Sequence, residues 1–519
     1  MEAAEIDALF AQWSGADSPG VVWAVTQDGT EIHSGAVGMS DIAQGVSLDR
    51  RSLVRIGSQT KQFTVLLALM LEAEGRLSMA DEVHRYAPWL PALPHPITLQ
   101  QMSTNTSGLR DILEAMTLSG VPLVAPSSRA RQREVLAGFG GLNFVPGTEM
   151  IYCNTNFWLL SEIIERVSGR SFNELLEARI TGPLGMTDTR LLPRDTQILH
   201  RLSAQHVRGP DGAWETARWG WDIGGEGGMV STLDDMLLWQ ANLARPRAGM
   251  KAHLARMAEP VVYANGSRGL YAMGLNQAIY RGQRHIGHGG GVAGGRSESM
   301  WFPDAGLGVV ILANSDAVAT YSLALRIADI ALGDRLAPPV QSGARLADGL
   351  YRMESGGDIL ALRTQGGVTE MVTGAGPLRL SEAAPGLFVP ERANMHLTLS
   401  PHTDSDMLDA TWCGMPRRLR RLGAVPDSGS SKIAGRYFSE EAGLVAEVRA
   451  DGEAAVMTLR SDFGVHRLKL RWIDSDLLTF VPDTMTPAPD RWIGTVQVNQ
   501  DHLSIVTDRT KELRLSRTD

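Results

Sequence analysis

The stretch Gly57–Gly75, G-S-Q-T-K-Q-F-T-V-L-L-A-L-M-L-E-A-E-G, decides how the rest of the chain is read. A helix starting near Ser58 stacks Ser58 and Lys61 on one face, because residues three apart are surface neighbours. Phe63 and the run Val65–Leu71 are apolar almost all round, which predicts a buried helix rather than a half-exposed one. A lysine at its mouth lies against apolar surroundings, and burial disfavours the ammonium form, so such a lysine can act as a base near neutral pH. On this reading Ser58 attacks and Lys61 takes its proton. The motif alone is short, and about one copy of S-x-x-K arises by chance in a chain this long. Ser58 as a cap and Gly75 as a stop would describe an ordinary core helix. The chain has five lysines, however, and Lys61 is the single one in its first 250 residues.

Composition bounds the alternatives. At 519 residues the chain can bury a large core and hold several domains. A net charge of -9 argues against nucleic acid or an acidic membrane as partner, and against a substrate held mainly through its carboxylate. The first residues are acidic where a secretory signal is basic, and Ile6, Leu9, Phe10 and Trp13 fall at helical spacing. With no apolar run near the roughly 20 residues of a membrane span, a cytoplasmic protein is expected. Cys153 and Cys413 lie far apart, which predicts neither a disulfide framework nor a cysteine metal site. No metal and no cofactor is expected.

Outward from the helix, Val21–Thr26 and Glu31–Val37 read as a hairpin around Asp28 and Gly29. N-T-S-G-L (Asn105–Leu109) and Pro146-Gly147-Thr148 are turns, the second leading into Tyr152-Cys153-Asn154. Phe157, Leu160, Ile163, Ile164 and Val167 then mark a helix face ended by Gly169. Tyr152 and Asn154 thus sit at a helix entrance, where side chains reach a cleft or simply cap and pack. I-G-G-E-G-G-M-V-S-T-L-D-D-M (Ile223–Met236) is glycine-rich but lacks the context of a nucleotide fingerprint. H-I-G-H-G-G-G-V-A-G-G-R places His288 at the opening of a glycine-rich turn that includes Gly290 and feeds a strand at Ser297–Phe302. Leu307–Leu312 pairs with that strand, and a closing helix runs from about Ala317 to Leu332.

Near Ala337–Gly343 helical periodicity stops, and short strand-like runs between turns follow. L-A-D-G-L-Y (Leu346–Tyr351) resembles I-A-G-R-Y (Ile433–Tyr437), with V-P-D-S-G-S-S (Val425–Ser431) between the copies. This faint repeat predicts two small antiparallel β-barrels.

The order S-x-x-K, Y-x-N, H-x-G resembles the penicillin-recognising serine hydrolases, which include class C β-lactamases, D,D-carboxypeptidases, family VIII esterases and D-aminopeptidases. The resemblance spans roughly residues 5–335 and extends to N-T-S-G-L, P-G-T, V-S-T-L-D-D and G-L-G-V-V-I-L-A-N. It implies an α+β, β-lactamase/D,D-peptidase-like hydrolase domain (1–336), followed here by the two barrels (337–427 and 428–519). With both barrels present the chain looks like the D-aminopeptidase branch. That likeness implies a homodimer that releases N-terminal D-residues from peptides, amides and esters, with an esterase or β-lactamase-like acyl hydrolase as the alternative. Ser58, Lys61 and Tyr152 would be catalytic; Asn154, His288 and Gly290 would bind substrate. A loop of the last barrel, about Thr479–Asp490, would reach the site. The family's amine-contacting acid has no clean match there: Thr486 falls near its place, flanked by Asp483 and Asp490.

Overall fold

The computed structural model describes residues 3–374, 376–391, 396–423, 430–452, 454–483, 485 and 492–518. Its first part is built on a six-stranded antiparallel sheet in the order Asn276–Tyr280, Gln283–Val292, Gly295–Phe302, Leu307–Ala313, Val21–Gln27, Thr30–Val37. The two ends of the domain therefore close one sheet, with Val21 opposite Ala313 and Gln27 opposite Leu307. The hairpin turn Asp28-Gly29 has positive φ at both residues, the geometry that matches strand twist.

Val21, Trp23 and Val25 point to one face and Val22 and Ala24 to the other, as strand alternation requires. The first set packs with Ile6, Phe10, Val309, Ile311, Leu323 and Ile327, so the N-terminal segment and the Thr320–Leu332 helix cover that face. The second set joins a larger core containing Phe63, Leu66, Phe157, Leu160 and Trp239. At its centre lies the Thr60–Ala73 helix, whose residues from Phe63 to Leu69 are buried. Ser58 precedes this helix in a 3-10 turn, Gly57–Gln59, and Gly75, in the left-handed region, ends it.

The glycine run after His288 departs from expectation: it is not a turn. His288, Gly289, Gly290 and Gly291 all lie within the strand Gln283–Val292, paired with Gly295–Phe302, and the turn falls one step later. The reason is steric. A Cβ on Gly290 would fall 1.8 Å from the Ile56 carbonyl oxygen, so only a bare strand can press against the segment carrying Ser58.

The same sheet holds a buried carboxyl on the face away from Ser297 and Ser299. Burial pushes Glu298 up to about 8. Between its unfolded value, about 4.3, and 8 the native state keeps a proton that the unfolded chain has released. Stability therefore falls as pH rises through this window and levels off above it. Glu298→Gln removes the penalty, so in thermal melts it should raise the Tm far more at pH 9 than at pH 5; an equal shift at both would contradict the assignment.

Two closed eight-stranded antiparallel barrels follow, from Gly349–Met353 to Met415–Arg421 and from Gly435–Ser439 to Leu513–Arg517. Alternate residues fill each interior: Tyr351, Leu360, Leu362 and Leu419 in one, Tyr437, Leu444, Ala446 and Leu515 in the other. The repeat has a structural counterpart. Tyr351 Oη donates to the Ala347 carbonyl at 2.8 Å and Tyr437 Oη to the Ile433 carbonyl at 3.0 Å, each four residues back. The expected boundary at 427/428, and residues 425–429 of the expected linker, lie outside the described residues. No helix among the described residues is long and apolar enough to cross a membrane.

Candidate active site

Gly57 sets the site. Its φ of +54° is a left-handed value, and a side chain there would meet the Gly291 nitrogen at 2.7 Å. The turn thus lies directly against the glycine strand, with Ser58 half-buried at the surface of a cleft. One residue set into the helix, Lys61 is completely buried. Its Nζ lies 3.1 Å from Ser58 Oγ and 2.9 Å from Asn154 Oδ1, and it also donates to the Glu226 carbonyl. The last two partners can only accept. They therefore fix two N–H directions and leave the third position of the nitrogen aimed at the serine.

Asn154 is held in turn. It is the first residue of the Asn154–Ser168 helix rather than its cap, which is Cys153. Asp111 Oδ2 accepts from the Asn154 backbone N–H at 2.6 Å and from its Nδ2 at 3.0 Å, so Oδ1 must face Lys61. Asp111 itself caps the Ile112–Leu118 helix and is fully buried. Its cation is Arg509, 3.4 Å away, from the turn between the last two strands of the second barrel. That turn is riveted to the hydrolase domain: Thr510 Oγ1 and the Arg509 N–H donate to Glu114, and Asn143 bridges the Arg509 carbonyl and the Lys511 N–H.

Tyr152 stands between these groups, with Lys61 Nζ 4.8 Å from its ring centroid and the Arg509 guanidinium 5.2 Å from it. Behind it is His288, buried, with ring centroids 6.1 Å apart. His288 Nδ1 faces the Gly289 carbonyl at 2.5 Å and must be the donor; Nε2 then accepts from Tyr271 Oη at 3.2 Å. Burial, reinforced by Lys61, pushes the imidazole down to about 3, so it is neutral and supplies no charge.

The cleft has a volume of about 90 Å³ and is lined by Ser58, Tyr152, Asn154 and Gly291 together with Ile112, Leu113, Trp219, Trp221 and Ile223. Ser58, Lys61, Tyr152 and Asn154 thus converge as the sequence predicts. His288 and Gly290 lie behind the cleft wall, one under Tyr152 and the other against Ile56. Thr479 belongs to the strand Leu477–Pro482, and Asp483, exposed just beyond it, bonds through its N–H to the Arg467 carbonyl. Thr486 and Asp490 lie outside the described residues. Among those described, the second barrel's contribution to the cleft is Arg509. Sequence reasoning missed Arg509, Asp111 and Glu226. Asp111 three residues before Glu114 is a readable helix start, whereas an arginine in a short barrel turn carries no local signal of a distant partner.

The profile of the beta-lactamase family matches residues 6–332, and the chain belongs to that family. Over nearly its whole length it is similar to the D-aminopeptidase of Cereibacter sphaeroides (strain ATCC 17029 / ATH 2.4.9), at 30% identity over 496 residues, 93% of this chain and 92% of that one. The D-aminopeptidase of Brucella melitensis biotype 2 is 28% identical over 433 residues, 82% of this chain and 80% of that protein. Among solved structures, a D-stereospecific amidohydrolase from Streptomyces sp. superposes with a TM-score of 0.52 at 25% identity, covering 63% of this chain and 98% of that one. An octameric penicillin-binding protein homologue from Pyrococcus abyssi superposes with a TM-score of 0.58 at 19% identity over 88% of this chain and 98% of its own, a likeness of fold.

Proposed function

We propose that this protein is a serine hydrolase that releases N-terminal D-amino acids from peptides, amides and esters through an acyl-enzyme on Ser58. The observation that carries the reading is the single Lys61 nitrogen held by Asn154 and Glu226 and aimed at Ser58 Oγ. Relatives named D-aminopeptidase that align across both barrels support the substrate class.

In the first step Lys61 accepts the Ser58 proton as Oγ attacks the substrate carbonyl. The developing oxyanion meets the Ser58 N–H, which in the first turn has no acceptor within its helix, and the N–H of Gly291, the strand residue at the cleft edge. Tyr152 relays that proton from Lys61 to the leaving amine; water then attacks the ester, and the proton it gives up returns through the same groups to Ser58 Oγ as the D-amino acid leaves. A neutral His288 offers no clamp for a substrate carboxylate, and Arg509 is already paired with Asp111. A cytoplasmic homodimer completes the proposal; light scattering on the purified protein tests the oligomeric part.

Hydrolysis of D-alanine amide against L-alanine amide and a simple acyl ester tests the substrate class. A preference for the D-amide of at least about a hundredfold over its enantiomer, some 2.7 kcal/mol of discrimination, is expected. Equal rates for the two enantiomers would remove the assignment and leave the esterase reading.

A further inference from the structure

A D-aminoacyl substrate brings a cation to within about 2.5 Å of the carbon that Ser58 attacks, and the described cleft must meet it. Glu226 has the chemistry. Its carbonyl binds Lys61, so the residue is anchored at the base of the site. Its side chain is only 7% exposed and lines the cleft. Oε1 accepts from the Gly224 N–H at 2.8 Å, while Oε2 is buried with no hydrogen-bond partner among the described residues.

No group among the described residues hydrogen-bonds Oε2. Arg129 is the nearest guanidinium and its charge draws the Glu226 carboxyl down, but it stops short of a hydrogen bond; its Nη2 donates to the Trp158 carbonyl at 3.0 Å and to Ser161 Oγ at 3.1 Å, and its Nε pairs with Glu162. Gln132, also in the cleft wall, spends its amide on the Ser127 and Asp222 carbonyls and on Trp158 Nε1. A buried carboxylate oxygen left free is costly unless a ligand completes it. Trp219 and Trp221 line the same cleft, their rings 5.9 Å apart and edge to face, and indole faces attract cations.

We propose that Glu226 Oε2, backed by the two tryptophans, seats the α-ammonium of the substrate. The assignment rests on the aminopeptidase reading and gives it the acid sought on the Thr479–Asp490 loop. Burial raises the Glu226 carboxyl above its ordinary range while the Arg129 and Lys61 charges draw it back, and an arriving ammonium favours the carboxylate in the same direction. Asp222, half-buried in the lining of the same cleft, is the competing carboxylate.

The test uses D-alanine methyl ester and methyl propionate, which differ only in the amine. The ratio of their kcat/KM values is measured in the wild type, Glu226→Gln, Glu226→Asp and Asp222→Asn. Glutamine keeps the acceptor for Gly224 but loses the charge, so the ratio should fall at least tenfold, mainly through KM for the amine ester. Aspartate, which keeps the charge, should recover part of it. Since methyl propionate has no ammonium, its turnover also reports whether each variant retains a working site. An unchanged ratio in Glu226→Gln overturns the proposal, as does a fall confined to Asp222→Asn, which moves the amine to that carboxylate. A wild-type enzyme that treats both esters alike removes the aminopeptidase reading itself, a result distinct from the other two.

Discussion

Ser58→Ala is expected to lower kcat/KM for a D-aminoacyl amide by about 10⁴-fold or more, with no loss of fold. Serine and lysine act as one unit, and without Oγ there is nothing for Lys61 to activate, so orientation of water by the remaining groups is all that survives. Ser58 is half-buried in a 3-10 turn and its hydroxyl serves no cap. The buried Lys61 nitrogen that loses it keeps Asn154 and the Glu226 carbonyl, so the Tm should change by no more than a few degrees, about 1 kcal/mol or less. Retained activity in this variant would mean that the nucleophile lies elsewhere.

Asp111→Ala should cost both stability and activity. The carboxylate is fully buried, accepts two bonds from Asn154 and one from the Leu113 N–H, and faces Arg509. Removing one partner of a fully buried pair typically costs about 3–5 kcal/mol; the lower end or less is expected here, because Arg509 is partly exposed and Glu114 also faces it. Asn154 would also be free to turn its amide, withdrawing Oδ1 from Lys61, and a misaligned base should lower kcat about a hundredfold or more. Removing both charges, Asp111→Ala with Arg509→Met, separates the two effects. Denaturant unfolding should recover a good part of the stability, whereas kcat should stay low, since Asn154 remains unclamped. Recovery of activity in the double variant would show that Asp111 serves only to balance Arg509.

What the sequence made legible was local. Apolar content at Phe63–Leu69 located the central helix, and Asp28-Gly29 located the first hairpin, because each is decided within a few residues. The periodicity of the following helix put Tyr152 and Asn154 at its entrance, but their roles came only from the resemblance in motif order. The glycines after His288 were misread as a turn since glycine favours both turns and close approach, and only the position of Ile56, more than 200 residues earlier, decides between them. Arg509 was unreadable for a related reason. Its partner Asp111 lies about 400 residues away, and no spacing rule connects a barrel turn to a helix cap in another domain. His288 kept its motif but not its expected place, since a ring in a strand buried on that side faces Tyr271 rather than the cleft.

The most direct test of the central claim is intact-mass measurement of the protein during turnover of a D-aminoacyl ester, with peptide mapping of any adduct. A transient gain of one aminoacyl group on Ser58, absent in Ser58→Ala and weaker with the L-ester, is the predicted result. Turnover of the D-ester with no covalent adduct on Ser58, even when quenched in the first moments of reaction, together with unchanged activity in Ser58→Ala, would contradict it.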